Sequence, residues 1–339
     1  MAQPYDIKMP PGAAGYGYRR TPLLDFFPER TPYSSAFLPV GNGHEIYWEQ
    51  SGNPDGVPIL LLHGGPGGGT SPVQRRFFDP DHYRIILFDQ RGAGRSSPFG
   101  SVEHNSRELL IGDIERLRKH LSVDQWHVFG GSWGSTLALS YAARYPERCL
   151  GLILSGIFLM EREEIEWFFY GIKSFFPEAW EQFAGHIPAS ERGDLLNAYY
   201  KRLFSSNLEA ATEAAIHWCL YESACASLIP NYETITTPQQ KSAVLSIARI
   251  ECHYFKHEVI APQDSLLKQV GRFRAIPSVI VNGRYDMLCP IRTAHKLHLA
   301  WPEADYVVVP DGGHSEQDPA IRSRLIEATE NAKTLSKLT

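Results

Sequence analysis

The chain has 339 residues, 43% hydrophobic and 21% charged, with a formal net charge of −5. That suffices for one large domain or for a core carrying an insertion. No basic run suggests nucleic acid or an anionic membrane surface, and no apolar run approaches transmembrane length.

Residues 1–40 are rich in Pro, Gly and Tyr and weakly periodic, which predicts an N-terminal arm on the surface. Met1 to Gly17 lacks the charged-then-apolar pattern of a secretory signal, so the expected location is the cytoplasm. The five cysteines (Cys149, Cys219, Cys225, Cys252, Cys289) are odd in number and form no CxxC pair, in keeping with reduced thiols there. No element of the sequence specifies an oligomeric state.

His44 to Gln50 alternates like a strand, and the turn Ser51 to Gly56 follows it. The apolar run Ile59 to Leu62 leads into His63-Gly64-Gly65-Pro66-Gly67-Gly68-Gly69. A second run, Ile85 to Phe88, leads into Asp89-Gln90-Arg91-Gly92-Ala93-Gly94-Arg95-Ser96. Ile111 to Leu121 has helical spacing, with Ile114, Leu117 and Leu121 on one face. His127 to Phe129 and Leu150 to Leu154 read as strands, and a helix is expected over Thr136 to Tyr145. Short apolar runs alternating with helices indicate an α/β fold, a mostly parallel sheet with helices on both faces. From Phe158 to Leu267 the pattern turns helical and aromatic. Strands return at Ser278 to Val281 and Tyr306 to Val309. The expected domains are therefore an arm (1–40), an α/β core (41–157 and 268–339) and an inserted helical cap (158–267).

The strand ending at Phe129 runs into Gly130-Gly131-Ser132-Trp133-Gly134, a G-x-S-x-G sequence between a strand and a helix. Such an elbow thrusts a serine out of the sheet edge, where a carbonyl can reach it. The bland alternative is an ordinary turn with serine as the helix cap. A serine hydroxyl needs a base and a group that orients the base. In this kind of sheet the chain order is serine, acid, histidine. Asp286 follows one late strand and His314 follows the last, so the expected catalytic residues are Ser132, Asp286 and His314.

Of the thirteen histidines, only His314 combines chain order with a loop after a late strand. His63 is expected to shape the loop after its strand, and His127 to be structural. His253 and His257 could share a helix face as metal ligands, but HExxH is absent and a plain surface or pocket face is the simpler reading. Asp311 and Asp318 lie too near His314 to replace Asp286. The oxyanion donors should be the N–H of Trp133 and an N–H of Gly65 or Gly64. The loop His63 to Gly69 lacks the Gly-Lys-Ser/Thr ending that would bind phosphate.

Taken together, HGGPGGG, FDQRGAGRS, DIERLR, VFGGSWGSTLALSYA, ARIECHYF, GRYDM and GGHS resemble the proline iminopeptidases of the α/β-hydrolase fold. The matching stretches run from about Gly43 to Asp318. The resemblance implies a serine aminopeptidase that removes N-terminal proline from short peptides without a cofactor or metal, through Ser132, Asp286 and His314. It further implies that Glu222 and Glu251 hold the substrate's free amino terminus. An α-ammonium has a pKa of about 8, and two carboxylates can each accept one of its hydrogens. Some positions depart from the family. Ser155 stands where an arginine is common before Gly-Ile-Phe, Trp-Glu-Gly has become Tyr221-Glu222-Ser223, and Ile-Glu-Asn-His has become Ile250-Glu251-Cys252-His253. These departures are expected to touch the substrate pocket. Competing readings are an esterase or amidase with a remodelled pocket and a non-catalytic binding protein on the same fold.

Overall fold

The structure, a computed structural model, describes residues 23–229 and 234–335. The first 22 residues of the expected arm lie outside this range.

The sheet is built from runs that are apolar at consecutive positions. Strands β1 (Ser34–Gly41), β2 (His44–Gly52), β3 (Val57–Leu62) and β4 (Tyr83–Phe88) precede helix α1 (Arg107–His120). Strand β5 (Trp126–Gly131), helix α2 (Trp133–Arg144) and strand β6 (Cys149–Ser155) follow. The eight strands lie in the order β1-β2-β4-β3-β5-β6-β7-β8, where β7 is Ser278–Gly283 and β8 is Asp305–Val309. From β4 to β8 every pairing is parallel. Successive side chains point to opposite faces. Leu60, Leu62, Ile86, Phe88 and Val128 thus enter one core with α1 and α2. Ile59, Leu61, Ile85, Leu87 and Phe129 enter a second core under helix α10 (Pro319–Leu335). Burial on both faces explains why these strands read as continuous apolar runs.

The arm expectation needs one correction. Ser34–Gly41 is an edge strand paired antiparallel with β2, from Ser34 opposite Gln50 to Gly41 opposite His44. An edge strand has one exposed face, and most of β1 is exposed, so its apolar signal is weak. Before it, Phe26 packs edge-on against Phe77, and the Leu24 N–H donates to Ser323 Oγ at 3.0 Å.

Between β6 and β7 lie α3 (Arg162–Glu166), a π-helical turn Trp167–Gly171, α4 (Pro177–Gly185), α5 (Leu195–Leu203), α6 (Leu208–Ala226), α7 (Pro238–His257) and α8 (Leu266–Gln269). Phe183 stacks on Tyr199 at 4.4 Å and on Tyr221 at 4.5 Å between ring centroids. Phe168 and Trp218 pack beside them. Helix α9 (Ile291–Ala300) then joins β7 to β8. Among the described residues no helix is long and apolar enough to cross a membrane.

Candidate active site

Ser132 sits between β5 and α2 with φ 57° and ψ −128°, a left-handed conformation that side chains other than glycine rarely adopt. Such strain costs about 1–3 kcal/mol and persists only where its surroundings enforce it. Here they do. A side chain at Gly130 would strike the Gly134 carbonyl, and one at Gly134 would strike the Leu62 carbonyl. The Ser132 N–H donates to the Ser155 carbonyl at 3.0 Å, and the Ser135 hydroxyl donates to the Ser132 carbonyl at 2.7 Å.

His314, in the loop after β8, turns Nδ1 to Asp286, 3.0 and 2.9 Å from the two carboxylate oxygens. Burial, the largest single influence, would lower the His314 pKa, but the Asp286 charge and hydrogen bond together with Cys289 outweigh it and hold the imidazole well above its usual range. The His314 and Ser315 N–H groups donate to the Ala226 carbonyl at 2.9 and 3.1 Å. The end of α6 is thereby tied to the histidine loop.

Cys289 completes this corner, and sequence reasoning missed it. Its N–H donates to Asp286 Oδ1 at 2.7 Å, fixing the carboxylate. Its sulfur lies 4.0 Å from Ser132 Oγ and meets the His314 ring. Burial pushes the thiol up to about 11, so it stays protonated at neutral pH. Its place three residues after Asp286 was the available signal; reading all five cysteines as scattered thiols concealed it.

The Trp133 N–H opens α2 and so has no acceptor within the helix. The Gly64 backbone runs against Ser132: a methyl group there would lie 3.4 Å from Ser132 Cβ. Gly65 lines the cavity beside Ser132. Gln90 locks these segments together. Its side chain accepts from Trp133 Nε1 at 2.8 Å and donates to the His63 carbonyl at 2.9 Å, while its N–H donates to His63 Nε2 at 3.0 Å. Asp89 accepts from Thr70 N–H and Arg95 Nε at 2.7 and 2.8 Å. Burial would raise the Asp89 carboxyl, but Arg95 and Thr70 hold it low. His63 therefore shapes the loop from inside. His127 is fully buried near the start of β5, inside the sheet, and burial pushes it down to about 4, so it stays neutral.

A narrow cavity of about 20 Å³ runs from Ser132 toward the cap. Phe158, Ile165, Phe168, Phe255 and Leu288 give it apolar walls, and Glu222 and Glu251 supply its charge. Glu222 comes from α6 and Glu251 from α7. Glu251 is 2% exposed and accepts from Trp218 Nε1 at 2.6 Å. The two carboxyl groups lie close enough to interact, and buried carboxylates side by side resist ionising together. Burial raises both pKa values, and the charge of Glu222 raises Glu251 further.

Glu164 is a third cavity carboxyl that the sequence did not single out. It accepts from the N–H groups of Leu159 and Glu161 at 3.1 and 2.8 Å, and burial pushes it up to about 7. Its signal was the turn-capping pattern Glu161 to Glu164.

The departures do not line this cavity, contrary to expectation. The Ser155 side chain abuts Gly131 at the elbow. Tyr221 is buried with its hydroxyl on the Phe168 carbonyl, Ser223 faces outward, and the Cys252 thiol meets the Leu196 carbonyl. His253 and His257 lie 5.0 Å apart between centroids, and a His253 ring nitrogen is 3.2 Å from the Asn105 carbonyl.

Residues 57–319 match the alpha/beta hydrolase fold family. A proline iminopeptidase of Arabidopsis thaliana is 50% identical over 307 residues, covering 90% of this chain and 81% of that protein. A probable proline iminopeptidase of Leptolyngbya boryana is 49% identical over 91% of this chain and 97% of its own length. The chain belongs to the proline iminopeptidase family of α/β hydrolases. Alignments that cover 90% and 91% of the chain take in most of the region between β6 and β7 as well. Among solved structures, the proline iminopeptidase of Mycobacterium smegmatis aligns with a TM-score of 0.58 at 18% identity, covering 89% of this chain and all of that one. At that identity the match speaks for the fold.

Proposed function

We propose that this chain is a serine aminopeptidase that releases an N-terminal residue, preferably proline, from short peptides. One observation carries the reading: the Ser132 corner and the Glu222–Glu251 pair border one small cavity. The substrate's ammonium displaces the proton that burial favours there and binds between the two carboxylates, which compensate its charge out of water. That anchors the first residue with its carbonyl at Ser132. In its neutral form His314 accepts the Ser132 proton as Oγ attacks, and Asp286 steadies the imidazolium that results. The Trp133 and Gly65 N–H groups, with Gly64 beside them, receive the oxyanion. His314 returns the proton to the leaving amine. A water molecule activated by the same imidazole then frees the acyl group. No step calls for a metal or cofactor.

Among the described residues Ser132 makes no hydrogen bond to His314, and the Cys289 thiol touches both. Catalytic hydrogen bonds often tighten only when substrate binds. The natural partners are short peptides with a free amino terminus, and the free state of all five cysteines fits a cytoplasmic setting. The test compares a proline arylamide, its N-acetylated form and a simple aryl ester. The free amine should be cleaved far faster than the acetylated amide. Equal cleavage of the two amides would point instead to a general esterase or amidase.

A further inference from the structure

We infer that His186, Glu213 and His217 form a binding site for a zinc-type divalent ion on the outer side of the cap. Their ligand atoms all lie within 4.8 Å of one another. Glu213 and His217 stand one turn apart on α6, so both project from the same face. His186 comes from the C-cap of α4, directly after Gly185. Two imidazoles and one carboxylate, with remaining positions open to water, suit zinc and its d-block neighbours better than calcium or magnesium.

The three groups are also uncommitted. Among the described residues neither imidazole donates or accepts a hydrogen bond through its ring, and Glu213 makes no ion pair. Both histidines are half-buried. The Arg202 guanidinium, whose charge acts on His186, is held by both oxygens of Glu191 at 3.0 Å. The rings now stack with centroids 4.5 Å apart and planes 20° apart. An ion lies in the plane of each ring it binds, so His186 must turn edge-on when the ion enters. Ligand atoms around zinc stand about 3.3 Å apart, given bonds of about 2.0–2.1 Å. Closure therefore brings the ligand atoms together by at most about 1.5 Å, alongside the turn of the His186 ring.

The site would clamp α4 to α6 at a consequential place. His217 precedes Trp218, which holds Glu251, and Phe183 of α4 stacks on Tyr221, next to Glu222.

The test uses tag-free, full-length protein and zinc chloride. Calorimetry should find one equivalent bound, and the melting temperature should rise with zinc. Both effects should vanish in His186→Ala and His217→Gln and weaken in Glu213→Gln. Unchanged zinc binding in the two histidine variants would overturn the site. Cobalt on the wild-type protein gives a second readout that needs no variant to fold. Ligand-field bands without thiolate charge transfer support the site, and strong thiolate charge transfer assigns the ion to a cysteine instead.

Discussion

The sheet edge and the cap meet across one cavity, but different physics builds each. At the edge, backbone does the positioning. Ser132 is held at a strained φ by a turn that only glycine neighbours permit, and Asp286 is set by the Cys289 N–H. In the cap, the decisive groups are two neighbouring carboxyls that burial holds toward their protonated forms. The first arrangement serves any carbonyl. On the proposed reading the second serves a substrate that brings a positive charge, which would place reaction type in the sheet and choice of substrate in the cap.

Substitutions at the two ends should therefore fail differently. Ser132→Ala should lower turnover of free-amine amides and simple esters alike, by roughly 10⁶-fold as in a comparable triad enzyme. Near-wild-type turnover of either class would remove Ser132 as the nucleophile. Glu251→Gln should cost the free-amine substrate roughly 10²–10³-fold in kcat/KM, the scale of losing one partner of a buried charge pair. Its ester activity should stay near wild type. Glutamine resembles the protonated acid, so the resting fold is kept; equal losses on both substrates would make Glu251 structural.

Glu164 separates cavity electrostatics from chemistry. Its pKa is raised from 4.5 to about 7, so between those values the folded form holds a proton that the unfolded form has lost. Stability therefore falls as pH rises through that window, by about 3 kcal/mol in all. Denaturant titrations of Glu164→Gln should show that slope removed, and an unchanged slope would mean Glu164 is ionised in the fold. Trp218→Phe, which takes the indole N–H from Glu251, should weaken free-amine turnover by roughly tenfold with little effect on esters. The smallest effect concerns protons. Calorimetry of a proline amide binding to Ser132→Ala, in buffers of different ionisation enthalpy, should detect proton release near pH 7. Absence of release would mean that the glutamates are already ionised.

The edge was the more legible region. Its glycines and the order Ser132, Asp286, His314 are local patterns that chain geometry imposes. Long buried strands were legible for the same reason, as each is an unbroken apolar run. The edge strand β1 was not, because one exposed face leaves half its signal polar. Cys289, Gln90, Trp218 and Glu164 were invisible as functional neighbours, since each acts through a contact between distant segments. The family departures around Glu222 and Glu251 suggested altered specificity, but their side chains point away from the cavity, which periodicity alone did not resolve.

The division of labour is tested most directly by one ratio: kcat/KM for a proline arylamide over that for its N-acetylated form, in wild type and in Glu251→Gln. The wild type should show a large ratio, and the variant should bring it down through loss of the free-amine rate alone. A ratio near one in the wild type, or one that Glu251→Gln leaves unchanged, would contradict amine recognition by the cap.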